Sequence, residues 1–294
     1  MGLLSSLKTF LASSTKVDVA ARFEVLREAI SGTMSSFYMA RDRQTGKVVG
    51  LKILDTDKTL ALEARFKGLA KPKEGEIAVG LKHPHIVETY EHGTTTKGEQ
   101  YIVMEFLEGP GLNSSIVSKN PQLVGKRLNL IRQAAAALGA VHEVGYIHRD
   151  ICPRNFVVSR TFDSLTLIDF GLTVPATPPF MQAGIRTGTP NYMAPEVVRR
   201  RPTSHKLDIF AFGVTCYELM AFDLPWPRST TGQAAQAAMT HGIDEPGDIR
   251  QLCPNISPRL AAAIVSCIQP EPKDRPASMQ AFLRAIDGVQ SELG

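Results

Sequence analysis

The hydropathy pattern changes character along the chain: short β-type runs separated by turn residues come first, and helical spacing takes over later. FEVLREAI (23–30) and SSFYMARD (35–42) are such runs, DRQTG supplies turn residues ending in Gly46, and KVVGLKIL (47–54) follows with β-branched and aliphatic side chains. This predicts antiparallel strands joined by a turn. A helical stretch is expected to lead to Leu81, and QYIVMEFL (100–107), a continuous apolar run, predicts a buried strand. The segment EGPG, Glu108 to Gly111, breaks all periodicity. Beyond it Leu128, Ile131, Ala135 and Leu138 recur at spacings of 3, 4 and 3, which predicts an amphipathic helix. DIFAFGVTCYELM (208–220) is apolar around nearly its whole circumference and predicts a helix in the middle of a core. The expected organisation is a β-rich lobe over 23–107, a hinge at 108–111 and a larger, mostly helical lobe over 112–294. An extension over 1–22 precedes them, where Leu3, Leu4, Leu7 and Leu11 suggest a short amphipathic helix packed on the domain.

Composition narrows the class without naming a function. At roughly 150 residues per domain, 294 residues allow two domains, and 43% hydrophobic with 21% charged residues is ordinary globular usage, which excludes a disordered or fibrous chain. Lys and Arg number 33 against 29 Asp and Glu, a net charge of +4. The basic residues are dispersed, and the densest run, Arg199 to Arg201, has no interleaved aromatics to stack on bases, so no nucleic-acid partner is expected. Cys152, Cys216, Cys253 and Cys267 form no CxxC and no metal-ligand spacing with His, which points to a reducing, cytoplasmic setting. No apolar stretch reaches the roughly 18 residues of a membrane span. The first fourteen residues make a poor secretory signal, although Gly2 to Ser6 fits a myristoylation pattern.

The chemistry is concentrated after residue 147. HRDICPRN begins at His148, IDFG occupies 168–171 and GTPNYMAPE occupies 188–196. Phosphoryl transfer from ATP needs a carboxylate to orient the attacking hydroxyl, oxygen ligands for magnesium, and a cation on the phosphates that stay behind. With these pieces in order, the sequence resembles the protein kinase superfamily from about Phe23 to Ile286, in particular the bacterial eukaryotic-like serine/threonine kinases. The resemblance implies an α+β, two-lobed fold: a small antiparallel sheet with one main helix, and a larger helical lobe. It implies that Asp150 accepts the substrate hydroxyl proton, that Asn155 and Asp169 hold Mg2+ (or Mn2+), and that Lys52 grips the α and β phosphates of ATP. The glutamate partner of Lys52 falls at Glu74, nine residues before the first histidine of HPHIV, with Glu76 as rival. Pro72 and Gly75 disturb the pattern there, so this helix is expected to be short. By the same resemblance Met104 lines the back of the adenine pocket, Glu105 and Leu107 offer their backbone to adenine, and Val157 belongs to the cofactor-binding set. Glu196 and Arg275 would form a buried ion pair, and Asp208 would anchor the catalytic loop.

Several positions depart from the family pattern. Where a glycine-rich loop is expected, ISGTMSSF (30–37) keeps only Gly32, with Ile30 and Ser35 at the outer glycine positions. Forcing a non-glycine residue to positive φ costs roughly 1–2 kcal/mol, so nucleotide binding is expected to be weakened. The valine over the adenine becomes Phe37 and the alanine of the strand motif becomes Gly50. A volume-conserving exchange is the kind a core tolerates, which predicts that the Phe37 ring fills the space left at Gly50. The rival is that Phe37 partly occupies the adenine site and no nucleotide binds. Gly111 stands where an acidic ribose ligand is common. Cys152 replaces the lysine usual in serine/threonine kinases, and Arg154 is expected to take over its role toward the transferring phosphoryl, the rival being a structural pairing with a carboxylate. Cys152 itself is either a redox-sensitive thiol or a small neutral filler.

GTPNYMAPE looks like the serine/threonine type, with Thr189 placed to bond Asp150. Thr173, Thr177 and Thr187 are the other threonines open to phosphorylation, and a phosphothreonine would pair with Arg149. PPFMQAGIR (178–186) lacks the threonines that bacterial relatives often use. The reading is a serine/threonine protein kinase acting on a protein hydroxyl with MgATP; the alternative is a pseudokinase that signals by contacts. A small-molecule phosphotransferase is disfavoured by APE and the Arg275 motif.

Overall fold

Alternating residues on neighbouring strands build the core of one sheet, and two long helices, one apolar along a stripe and the other nearly all round, build the other core. The computed structural model describes residues 16–28, 34–66, 68–227 and 244–294; the expected N-terminal leucine helix lies outside these residues. The chain divides into two compact units, one made of 1–68, 75–82 and 88–107, the other of 69–74, 83–87 and 108–294.

In the first unit a short helix α1 (Val19–Arg22) leads into β1 (Phe23–Glu28), followed by β2 (Ser35–Asp42) and β3 (Val48–Leu54). Two helices, α2 (Thr56–Glu63) and α3 (Glu74–Gly80), precede β4 (Thr89–Thr94) and β5 (Gln100–Glu105). The sheet is antiparallel throughout, in the order β1-β2-β3-β5-β4. Phe23, Ala40, Val49, Leu51, Tyr101 and Val103 form the core on one face, covered in part by Val17 and Val19 of the extension. Arg22 anchors that extension, bonding Asp42 at 2.9 and 3.2 Å and Glu91 at 2.7 and 2.9 Å.

The helical stretch expected to lead to Leu81 ends in α3, and a separate helix, α2, precedes it. α2 buries none of its residues, whereas α3 buries Ile77 and Ala78. A Cβ on Gly75 would lie 2.3 Å from the Cβ of His92, so α3 approaches β4 more closely than any other residue allows. That contact explains a glycine in a helix, where it otherwise costs about 1 kcal/mol relative to alanine.

The second unit begins with α4 (Leu112–Val117) and α5 (Arg127–Glu143), then the strands β6 (Tyr146–Ile147), β7 (Phe156–Val158), β8 (Leu165–Leu167) and β9 (Val174–Pro175). Helices α6 (Pro195–Val198), α7 (Lys206–Ala221), α8 (Ile249–Leu252), α9 (Pro258–Cys267) and α10 (Met279–Ala285) complete it. As the apolar pattern requires, fourteen of the sixteen residues of α7 are buried. β6 pairs with β9 and β7 with β8, both antiparallel. EGPG is bound into this unit: Val158 N–H donates to the Pro110 carbonyl at 3.0 Å, and a Cβ on Gly109 would lie 1.9 Å from the Val158 carbonyl oxygen.

Two buried ion pairs fix the helices. Arg275 meets Glu196 at 2.8 and 2.9 Å, as expected from the resemblance. The other went unforeseen: Glu292, near the C-terminus, meets Arg127 at 2.6 Å and also accepts the Gly125 and Leu128 N–H groups at 2.9 and 3.4 Å. It thereby caps the start of α5, whose own preceding residue, Lys126, provides no side-chain cap.

Candidate active site

The loop after β6 is held from below by α7. Asp208 is fully buried and accepts the backbone N–H of His148 and of Arg149, each at 2.7 Å, and His142 Nε2 lies 2.9 Å from the same carboxylate. Burial pushes the Asp208 carboxyl up, but hydrogen bonding to His142 and the neighbouring histidine charge outweigh it and hold the group below the usual carboxylate value. This anchoring lets Arg149 keep φ at 69°, a left-handed conformation costing roughly 1–2 kcal/mol for a side-chain-bearing residue.

Asp150 follows, half-buried. Its Oδ1 accepts from Thr189 N at 2.8 Å and Thr189 Oγ1 at 2.7 Å, and its Oδ2 accepts from Asn155 Nδ2 at 3.1 Å. A carboxylate offers about four lone-pair directions, so three are used to orient it and one on Oδ2 remains for a hydroxyl. Asn155 also donates to the Asp150 carbonyl at 2.6 Å, which leaves its Oδ1 as an acceptor with no hydrogen-bond donor among the described residues. Pairing of β7 with β8, continued by Ile168 N–H to the Asn155 carbonyl at 3.0 Å, brings the chain just before Asp169 alongside Asn155. Asp169 Oδ1 accepts the Gly171 N–H at 2.9 Å. Asn155 and Asp169 thus offer hard oxygen donors. Among the described residues no cluster of three or more His, Cys, Asp or Glu exists to hold a metal alone. Hard oxygen donors of this kind are the ligands that Mg2+ takes.

Arg154 is exposed and has no carboxylate within ion-pair distance among the described residues. Cys152 is 1% exposed, and burial followed by the nearby Asp150 charge pushes its thiol up to about 12. It is therefore a neutral filler beneath Thr189, whose Oγ1 lies 3.7 Å from Sγ, and not a redox-sensitive thiol. Thr173 and Thr187 are buried, which leaves Thr177 as the solvent-open member of the three threonines considered for phosphorylation.

The first unit carries the other predicted groups. Phe37, Gly50, Lys52 and Met104 occupy one face of the sheet, since Phe37 pairs with Lys52 and Gly50 with Met104 across neighbouring strands. A Cβ on Gly50 would stand 2.8 Å from Phe37 Cζ and 3.1 Å from Met104 Cγ, so the ring does fill the space of the missing methyl. Gly50→Ala is expected to cost about 1–3 kcal/mol by overpacking, and under about 1 kcal/mol in a Phe37→Val background. Denaturant unfolding of the four proteins measures this; equal costs in both backgrounds would contradict the coupling.

Lys52 is 8% exposed, and Glu74 is 7% exposed while its rival Glu76 is open to solvent. Glu74 groups with the second unit, where a Cβ on Gly171 would lie 3.3 Å from its Oε2. Glu105 exchanges hydrogen bonds with Glu88, its N–H to the Glu88 carbonyl and its Oε1 from the Glu88 N–H, both at 2.9 Å. The Leu107 backbone makes no hydrogen bond among the described residues and is available to a ligand. Val157, partly buried in β7, faces Gly111 through a β-bridge. Ile30 and Gly32 lie outside the described residues.

Comparison with known proteins matches residues 23–285 to the protein kinase domain family. The chain is 30% identical over 289 residues to serine/threonine-protein kinase pkn3 of Myxococcus xanthus, covering 93% of this chain and 51% of that protein. It is 32% identical over 278 residues to Pkn1 of the same organism, covering 92% and 38%. To PknD of Mycobacterium tuberculosis it is 28% identical over 254 residues, covering 86% and 37%. The chain therefore spans about half, or less, of the length of these curated relatives.

Proposed function

The chain belongs to the protein kinase domain family, and from that premise we propose that it is a serine/threonine protein kinase transferring the γ-phosphoryl of MgATP to a protein hydroxyl. The observation that carries this reading is the Asp150 carboxylate, fixed by Thr189 and Asn155 with one acceptor direction left open. Asp150 orients the substrate hydroxyl and takes its proton as the new P–O bond forms; the electron pair of the broken bond leaves with ADP. Asn155 and Asp169 would hold magnesium, which would supply charge neutralisation toward the phosphates. Lys52 holds the phosphates that remain with ADP, and Glu74 positions Lys52. Arg154, exposed and without a carboxylate, faces the charge on the transferring group in place of the lysine that Cys152 replaces.

Phe37, Gly50 and Met104 shape the surface for the base, and Glu105 and Leu107 offer their backbone to it. Serine and threonine are favoured as acceptors because Thr189 belongs to a segment of that type. Four free, buried cysteines support a reducing, cytoplasmic setting, and no described helix is long and apolar enough to cross a membrane.

Incubation with γ-labelled MgATP and a generic basic protein, followed by phosphoamino-acid analysis, tests the reading. Labelled phosphoserine or phosphothreonine is expected. No transfer with either Mg2+ or Mn2+ would favour the pseudokinase alternative, and phosphotyrosine alone would overturn the acceptor assignment.

A further inference from the structure

Arg149 is 3% exposed, yet none of the acceptors bound by its side chain is charged. Nε donates to Thr187 Oγ1 at 3.1 Å, Nη1 to the Phe180 carbonyl at 3.1 Å and Nη2 to the Ile185 carbonyl at 3.2 Å. All three guanidinium nitrogens are thus engaged by the segment between Asp169 and Glu196. The countercharge lies on the other side, in Asp208, which holds the Arg149 backbone N–H. A second tie, Thr203 N–H to the Met181 carbonyl at 2.8 Å, fastens the same segment to the approach to α7. Two residues beyond Thr187, Thr189 makes both of its bonds to Asp150. The Thr187 hydroxyl therefore links the buried cation to the residue that orients the carboxylate.

A phosphate has no ready entry into this arrangement. Thr187 is 4% exposed and its oxygen is already bound, and Thr173 is fully buried. Thr177 is open to solvent, but it lies outside the clasp, with its carbonyl accepting the Phe180 N–H at 3.0 Å.

We propose that the uncharged clasp of Arg149 on Thr187 Oγ1 and the Phe180 and Ile185 carbonyls holds this segment in its working shape without phosphorylation, with Thr187 as a positioning residue for Asp150. In its consequence for catalysis the proposal rests on the kinase reading above; the order of the segment is independent of it. A hydrogen bond to a charged group that is lost in a buried site is worth roughly a tenfold effect or more.

The test uses the whole chain, co-expressed with a phosphatase and shown by intact mass to carry no phosphate. Hydrogen exchange by mass spectrometry is expected to show residues 180–189 protected in this form. Thr187→Val is expected to raise exchange there about tenfold and to lower kcat by a similar factor with KM for ATP unchanged, while Thr187→Ser restores both. Thr177→Ala is expected to match the wild type. A phosphate-free segment that exchanges freely and becomes protected only after phosphorylation would overturn the proposal, as would unchanged exchange in Thr187→Val. Absence of transfer in every phosphorylation state, with the exchange pattern as expected, would overturn the kinase reading and leave the clasp standing.

Discussion

Glu292→Gln is expected to lower the unfolding free energy by about 3–5 kcal/mol, the usual loss when one partner of a buried ion pair is removed. Arg127 and Glu292 are 5% and 1% exposed, so the substitution leaves a guanidinium that water cannot reach. The remaining contacts of Arg127, the Met220 carbonyl at 2.9 Å and the face of Phe222 at 5.6 Å, carry no compensating charge. Glutamine has the same shape and its oxygen can still accept from Gly125 and Arg127, so the experiment removes the charge and, with it, only the long bond from Leu128 N–H at 3.4 Å. At about 2–4 °C per kcal/mol for a domain of this size, the midpoint should fall by roughly 10 °C. The same carboxylate caps α5, and the adjoining residues tie the C-terminus to the loop before α9, with Gly294 N–H on the Asn255 carbonyl at 2.8 Å and Ser257 N–H on the Glu292 carbonyl at 2.9 Å. Denaturant unfolding checks the value. A loss below about 1 kcal/mol, the level of an exposed pair such as Lys82 with Glu88, would contradict it.

That pair also marks where sequence reasoning stops. α5 was legible because burial of one helix face imposes a local period, α7 because a run apolar nearly all round marks a helix inside a core, and β2 and β3 because β-type runs flank turn residues ending in Gly46. The catalytic groups were legible because their order and spacing carry chemistry. Glu292 is 165 residues from Arg127 and has no period to announce it. Arg22, which joins Asp42 to Glu91, is hidden for the same reason. α2 escaped because a helix that buries nothing needs no apolar stripe. β4, with the sequence TYEHGT, escaped because this edge strand buries only its first residue and so carries little apolar signal. Cys152 was ambiguous because thiol reactivity depends on burial, which composition does not reveal. The fit of Phe37 to Gly50 was within reach, because the resemblance places both positions against one pocket and their volume changes are complementary. The Arg149 clasp was not, since two of its acceptors are main-chain carbonyls, which every residue has.

Asp150→Asn is expected to reduce phosphoryl transfer by about 10²–10⁴, the range supplied by a positioned general acid or base. The substitution keeps the size of the side chain and its Oδ1 can still accept from Thr189, but its Nδ2 replaces the oxygen that accepts from Asn155 Nδ2 at 3.1 Å, so that one orienting bond is lost with the charge. Also lost is the ability of the open Oδ2 direction to accept a proton from the substrate hydroxyl. Nucleotide binding should survive, because Lys52, Asn155 and Asp169 are untouched. The decisive measurement is single-turnover transfer from γ-labelled MgATP to a protein substrate, wild type against Asp150→Asn, with thermal stabilisation by MgATP recorded on both. The expected result is a rate at least about a hundredfold lower in the variant with similar stabilisation by MgATP in both proteins; equal label in the two, or none in the wild type at millimolar nucleotide, would contradict it.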